Sequence, residues 1–274
     1  MTVLESIRNA MARVLGHDVF DWDTAGPAEH PPELAAVVLP PPAPTWSEGW
    51  YLGAQRRPAH PGRVGGPIKP WTVVVHTTDM MPNTFAPLVK AWTTNANRGA
   101  CAHFILGRTR EDGLVQLVPI NRNGNHAGGP RSPDGKPLHG WFVKDGKTIH
   151  PNLVAIGIEV HNAGRLTFVG KNWVDENDHK IDVADVELDD RKPGRGWHKP
   201  TAWQLETLGR LLDELDLQLG PTPAGITIQP HGEVPAYGRT PSSRFVGHVS
   251  LDPDRKSDPG VPIMRWLRQR AAKP

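Results

Sequence analysis

Six short runs of apolar, often β-branched residues follow position 70, and they constrain the fold more than any other feature. Runs of four to seven such residues are typical of buried strands. They lie at residues 71–76, 101–106, 114–119, 154–160, 226–229 and 244–247. Between them lie stretches whose apolar residues recur every three or four positions, which indicates helices. Strands alternating with helices predict an α/β fold with a central mixed β-sheet flanked by helices.

Two helices are predicted between these strands. Asn83 or Thr84 caps the first, which carries apolar residues at Phe85, Leu88, Val89 and Trp92. The second begins at Thr201, where Gln204 completes a capping box, and it ends before Gly220-Pro221. Residues 130–151 and 164–198 are rich in Gly, Pro, Asp and Lys and are predicted to be long loops. They either form the rim of a substrate groove or are decoration without a function.

The first 69 residues have a different character. Residues 2–16 predict an amphipathic helix, and residues 26–70 are rich in proline, which favours an extended or irregular path. Aromatic residues at 46, 50 and 51 predict that part of this stretch packs on the rest of the chain. We therefore expect an N-terminal helix and Pro-rich extension over residues 1–69, and a main domain over residues 70–274.

The composition excludes several classes of protein. The chain has 31 Lys and Arg against 29 Asp and Glu, a net charge of +2 that does not suit a strongly basic nucleic-acid binder. Its one cysteine, Cys101, excludes an intrachain disulfide or a multi-cysteine metal site. No apolar run reaches the roughly 20 residues that span a bilayer, and the N-terminus lacks the features of a signal peptide. We expect a monomer made in the cytoplasm, with no nucleic-acid partner and no stable membrane insertion.

Two segments carry residues suited to metal chemistry. His76 ends an apolar strand, and the turn-rich segment 247–260 contains His248, Lys256 and Asp258. If that segment folds back, two histidines and one aspartate can bind zinc and leave one coordination position open, as catalytic zinc sites do. A structural role for His76, and a simple turn at 247–260, are the alternatives that the residues alone leave open.

A set of motifs along the chain resembles a known family. They are Val-Val-Val-His76-Thr-Thr, Ala102-His103-Phe104, Asn125-His126-Ala127-Gly128, Ile156-Gly157-Ile158-Glu159 and Gly247-His248, followed by Arg255-Lys256-Ser-Asp258-Pro-Gly260. In this order they resemble the zinc-dependent N-acetylmuramoyl-L-alanine amidases of the type 2 amidase family, which are related to phage endolysins and peptidoglycan recognition proteins. The resemblance covers roughly residues 70–268 and implies that family's fold for the main domain.

The resemblance also implies residue roles and a cofactor, Zn²⁺. His76, His248 and Asp258 correspond to zinc ligands, and Glu159 and Lys256 to catalytic groups. His231, in a His-Gly-Glu element, is a rival second ligand; we favour His248 because its ten-residue offset to Asp258 fits the branch of the family with an aspartate ligand. The remaining two motif histidines, at 103 and 126, are expected behind the ligands or in the substrate groove.

The implied function is hydrolysis of peptidoglycan at the amide bond between the lactyl group of N-acetylmuramic acid and L-alanine of the stem peptide. We expect a phage endolysin that acts on the cell wall after release from the producing cell. The alternatives are a non-catalytic peptidoglycan-binding module and a cytoplasmic amidase that recycles muropeptides.

Overall fold

Three helices and eighteen short strands make up the regular structure of the residues that the computed structural model describes, which are 45–96, 99–127, 141–189 and 192–272. The helices are α1 (Phe85–Thr94), α2 (Ala202–Gln218) and α3 (Gly260–Ala271). The strands are β1 (Trp46–Ser47), β2 (Trp50–Tyr51), β3 (Gln55–Arg56), β4 (Val64–Pro67), β5 (Thr72–Thr77), β6 (Phe104–Leu106), β7 (Leu114–Gln116), β8 (Arg122–Gly124), β9 (Trp141–Lys144), β10 (Lys147–Ile149), β11 (Ala155–Val160), β12 (Arg165–Val169), β13 (Asn172–Val174), β14 (Lys180–Ile181), β15 (Val186–Leu188), β16 (Arg195–His198), β17 (Thr227–Gln229) and β18 (Phe245–Gly247). The helix predicted over residues 2–16 lies outside the described residues.

The central sheet has six strands in the order β18-β5-β11-β6-β7-β3. Strands β18, β5, β11 and β6 run parallel to one another, and β7 is antiparallel to β6. The predicted mixed sheet is therefore confirmed. Every residue of β5 and of β11 is buried, which explains why these two runs are apolar nearly throughout instead of alternating with polar residues.

The two faces of the central sheet have different partners. Val73, Val75, Ile156 and Ile158 share one core with the buried leucines of α2 and with residues of α3. Because successive side chains of a strand point to opposite faces, His76 and Glu159 lie on the other face. The predicted capping box at the start of α2 is present, since the side chains and backbone N–H groups of Thr201 and Gln204 bond to each other at 3.0 and 3.1 Å.

Residues 164–198 are not the long loop that the composition suggested. They form a five-stranded antiparallel sheet in the order β14-β13-β12-β16-β15, which we call the inserted sheet. Its strands are two to five residues long, so turn residues dominate the composition; Gly170, Asp178 and Gly194 have positive φ. Likewise, residues 141–149 form the hairpin β9-β10, which pairs with β17 in a separate three-stranded sheet.

Part of the predicted extension packs on the main domain. Trp46 and Tyr51 pack on the core shared with α2, and β3 joins the edge of the central sheet beside β7. The packing predicted for the aromatic residues is thus present, while a domain boundary at residue 70 stays a prediction.

Helix α3 was not predicted. Within the described part of the chain, no helix is both long and apolar enough to cross a membrane.

Candidate metal centre and active site

Three adjacent parallel strands bring functional side chains to one edge of the central sheet. His76 is near the end of β5, and Glu159 on β11 is its direct partner in the strand register. On the opposite side of β5, strand β18 ends at Gly247, so His248 follows immediately. The carboxyl ends of parallel strands meet at a common edge, the usual place for ligand-binding groups in α/β sheets.

The segment after His248 folds back on itself. The backbone N–H of Val249 donates a hydrogen bond of 2.8 Å to the carbonyl of Asp258, and Lys256 N–H donates one of 2.8 Å to the Asp252 carbonyl. This closure returns the Asp258 side chain to His248. The Nδ1 atoms of His76 and His248 lie 3.0 Å apart, and each lies 3.2 Å from Oδ2 of Asp258. All three side chains are buried.

The protonation of this cluster suits a cation. Burial, reinforced by the nearby His248, lowers the pKa of His76 to about 4, so this imidazole is neutral at neutral pH. Burial alone would raise the pKa of Asp258, but the hydrogen bonds and charges of His248 and His76 hold it below its usual range. Two imidazole nitrogens 3.0 Å apart repel each other unless a proton or a cation is shared between them.

The donor set fits zinc. Two imidazole nitrogens and one carboxylate oxygen lie within 4.8 Å of one another, and Oδ1 of Asp258 has no hydrogen-bond partner among the described residues. Zinc binds imidazole and carboxylate ligands, and catalytic zinc sites combine three protein ligands with one open position. His76, His248 and Asp258 can therefore hold such an ion.

His126 lies directly behind His76. Its Nε2 is 3.2 Å from the carbonyl of Ala155 and must donate there, because a carbonyl oxygen only accepts. Its Nδ1 is then an acceptor, 3.1 Å from Nε2 of His76, which donates to it. These two hydrogen bonds leave the lone pair of His76 Nδ1 directed at His248 and Asp258. His126 therefore has the arrangement expected of a residue that orients a metal ligand.

The ring of His126 packs closely against the backbone of Gly157. A Cβ atom on Gly157 would lie 2.2 Å from Cγ of His126, so the ring lies against a backbone that has no side chain. His103 lies further from the cluster. It is fully buried, donates from Nε2 to the Arg122 carbonyl at 2.8 Å, and accepts from Gly157 N–H at 3.0 Å. Burial lowers the pKa of His103 to about 4.

Glu159 is a buried carboxyl group with a raised pKa. Burial raises it well above the ordinary value; the negative charges of Asp258 and Asp79 add to this and Lys256 opposes it. Oε2 of Glu159 has no hydrogen-bond partner among the described residues. A carboxyl group whose pKa approaches the working pH can both take up and release protons, which is what a general acid and base requires.

Asp79 is a third carboxyl group here, partly buried, and the sequence reasoning missed it. Its Oδ1 accepts a hydrogen bond of 2.9 Å from the hydroxyl of Thr77. Burial, reinforced by the charge of Asp258, raises the pKa of Asp79 to about 7. The sequence feature that could have identified Asp79 is its position three residues after His76, directly beyond the end of the strand.

The rival ligand His231 lies apart from the cluster. His231 is exposed, and its Nδ1 lies 2.6 Å from a carboxylate oxygen of Asp254, so the structure does not bring it to His76. Cys101 is fully buried, and burial raises the pKa of its thiol to about 12, which leaves it protonated and unreactive.

Comparison with known proteins now decides the family. The sequence profile of the N-acetylmuramoyl-L-alanine amidase family matches residues 66–261, a range that contains every residue of the cluster. The chain belongs to this family. The match confirms the family, the fold class and the class of enzyme that the motifs predicted.

Three of the solved structures to which the chain is similar are as follows. An AmpD derivative is 20% identical with a TM-score of 0.44, and the match covers 82% of this chain and 97% of that one. AmiD from E. coli is 19% identical with a TM-score of 0.44, covering 75% and 59%. AmpDh3 from Pseudomonas aeruginosa is 21% identical with a TM-score of 0.42, covering 72% and 57%. No curated protein matches the chain.

Proposed function

We propose that this chain is a zinc-dependent amidase that cleaves the amide bond between the lactyl group of N-acetylmuramic acid and L-alanine of the stem peptide. One observation carries the proposal: His76, His248 and Asp258 converge to within ligand distance, beside Glu159 on the neighbouring strand. Family membership supports the class of reaction.

The five residues of the centre divide the work. His76, His248 and Asp258 hold the zinc ion, which when bound supplies Lewis acidity and lowers the pKa of water. Glu159 takes a proton from the attacking water and returns it to the leaving amine, a role for which its raised pKa is suited. Lys256 places a positive charge near the carbonyl oxygen as negative charge develops there.

The decisive experiment measures zinc and product together. The purified chain is analysed for zinc by elemental analysis and is then incubated with peptidoglycan. We expect about one zinc per chain and new L-alanine amino groups as digestion proceeds. Zinc-loaded protein that binds peptidoglycan without releasing these groups would be a peptidoglycan-binding module instead. Mass spectrometry of the fragments identifies any other bond that is cut.

The biological setting of the enzyme is a separate proposal. An endolysin acts on intact cell walls after release, whereas a recycling amidase acts on soluble anhydro-muropeptides. We propose the endolysin role and expect higher kcat/KM on intact sacculi than on soluble anhydro-muropeptides of the same stem peptide. The opposite preference would assign the chain to recycling.

A further inference from the structure

Asn152 holds the chain segment that carries His126. Its Oδ1 accepts hydrogen bonds from the backbone N–H groups of Ala127 at 2.8 Å and of His126 at 3.3 Å. Its Nδ2 donates to Oδ1 of Asn125 at 3.1 Å. Because a backbone N–H can only donate, the amide oxygen of Asn152 must face this segment. One buried amide group therefore contacts three consecutive residues, with His126 in the middle.

Asn152 is itself held in place. It lies in the 3-10 turn Pro151–Leu153, directly before β11, and the proline at the start of that turn fixes the backbone φ angle. The N–H of Asn152 donates to Nδ1 of His150 at 3.2 Å. The His150 ring packs at a steep angle to Trp141, with ring centroids 5.1 Å apart. The amide group that contacts His126 is thus attached to a well-anchored turn.

Asn152 and β11 hold different parts of His126. Asn152 binds its backbone, whereas β11 holds its ring, through the Ala155 carbonyl and through close packing against Gly157. If the backbone of His126 were free to shift, the ring would move with it relative to Nε2 of His76, which lies 3.1 Å from Nδ1 of His126. Hydrogen bonds weaken as distance and angle depart from the optimum, so His76 would be oriented less firmly.

We propose that Asn152 is a positioning residue of the metal centre, which acts on the zinc ligand His76 through His126. The inference rests on the proposed function, since it takes His76 to be a zinc ligand. Residues that bond directly to a metal ligand typically contribute about 10–100-fold to metal affinity. Asn152 acts one step further out, so its contribution is expected at the lower end, about tenfold.

The first experiment compares two buried amide side chains. Asn152→Leu keeps a similar volume but removes the donor and the acceptor, and it should weaken zinc affinity about tenfold in competition with a chelator. Gln116→Met is the matched control. Gln116 is also buried and also holds the backbone, through hydrogen bonds to Gly49, Tyr51 and Val118. This variant should lose stability, as thermal unfolding of the zinc-free proteins shows, but keep wild-type zinc affinity.

A double-mutant cycle tests whether the effect passes through His126. Asn152→Leu should weaken zinc binding in the wild type but not in a His126→Ala background, because no imidazole is left to position. The visible spectrum of the Co²⁺-substituted protein depends on the arrangement of the metal ligands. It should change in Asn152→Leu and stay unchanged in Gln116→Met.

A conservative variant tests the role of the amide oxygen. Asn152→Asp keeps an oxygen that faces the N–H groups of His126 and Ala127, and the amide of Asn125 can rotate to donate to the second carboxylate oxygen. This variant should therefore recover most of the zinc affinity that Asn152→Leu loses. If Asn152→Leu does not fold, Asn152→Ser takes its place in every comparison.

Three outcomes overturn the proposal. They are wild-type zinc affinity in Asn152→Leu, an equal loss of affinity in Gln116→Met, and an effect of Asn152→Leu that is the same with and without the His126 ring. Failure of the proposed function is recognised separately. A wild type that binds zinc but releases no L-alanine amino groups from peptidoglycan is not an amidase, while the zinc affinities still decide on Asn152.

Discussion

The catalytic edge of the central sheet and strand β12 of the inserted sheet place their polar groups in opposite environments. Strands β5 and β11 are buried at every residue, and the pKa values of His76 and Glu159 are shifted toward their neutral forms. In the inserted sheet, Leu166 is the one buried residue of β12, and the arginine on that strand is exposed. Groups that exchange protons or hold a metal benefit from burial, whereas groups that stay ionised keep their charge in contact with water.

The largest expected effect is on zinc content and activity, and it should appear when a buried histidine is replaced but not when an exposed one is. His248→Ala removes a ligand from the buried cluster, so we expect loss of stoichiometric zinc and of activity. His231→Ala changes an exposed histidine that the structure places beside Asp254, and it should keep both. Elemental analysis of the two purified variants gives the answer. Zinc loss in His231→Ala, with zinc retained in His248→Ala, would assign the second ligand to the other histidine.

The next effect concerns proton transfer alone. Glu159→Gln keeps the shape of the side chain but cannot carry a proton, so turnover should fall by roughly 10²–10⁴ while zinc is retained. Glu111→Gln, at an exposed turn, is the matched control and should behave as wild type. Measured kcat and zinc content test this directly. Normal turnover in Glu159→Gln would remove this residue from the mechanism.

A smaller effect is expected behind the metal ligands. His126→Ala removes the acceptor that orients His76, and such outer partners typically contribute about 10–100-fold to metal affinity. Gly157→Ala should act in the same direction, since its new methyl group would collide with the His126 ring. Competition with a chelator measures zinc affinity for both. Wild-type affinity in His126→Ala would show that the hydrogen-bond chain does not orient His76.

The smallest effect is the pH dependence of stability in the zinc-free protein. Because burial lowers the pKa of His103 from 6.5 to about 4, the unfolded chain binds more protons between these pH values. The free energy of unfolding should therefore fall as pH drops from about 6.5 to about 4, with His103 contributing at most about 1.4 kcal/mol per pH unit. The raised pKa of Glu159 acts in the opposite direction.

A matched pair of variants isolates this contribution. His103→Gln should reduce the slope of unfolding free energy against pH, as measured by denaturant titration. Gln218→Ala, which changes an exposed residue that carries no titratable group, should leave the slope as it is. An unchanged slope in His103→Gln would mean that this buried histidine does not titrate between the two pH values.

Patterns of neighbouring residues were enough to predict individual strands and helix caps. The strand ending in His76 and the capping box of α2 were predicted because apolar runs and caps depend on neighbouring residues. Helix α3 and the inserted sheet were missed. The strands of the latter are so short that their turns dominate the local pattern, and its core of Leu166, Trp173, Ile181 and Val186 forms only when the strands pair.

By itself, the sequence determined the chemistry that this chain can carry: which imidazoles and carboxylates end apolar strands, and in what order along the chain. Only the tertiary structure decided which of them meet. It set Glu159 beside His76 through strand register, returned Asp258 to His248 through a closed loop, and left His231 outside. Proximity between residues up to 182 positions apart arises from long-range packing, and no local pattern encodes it.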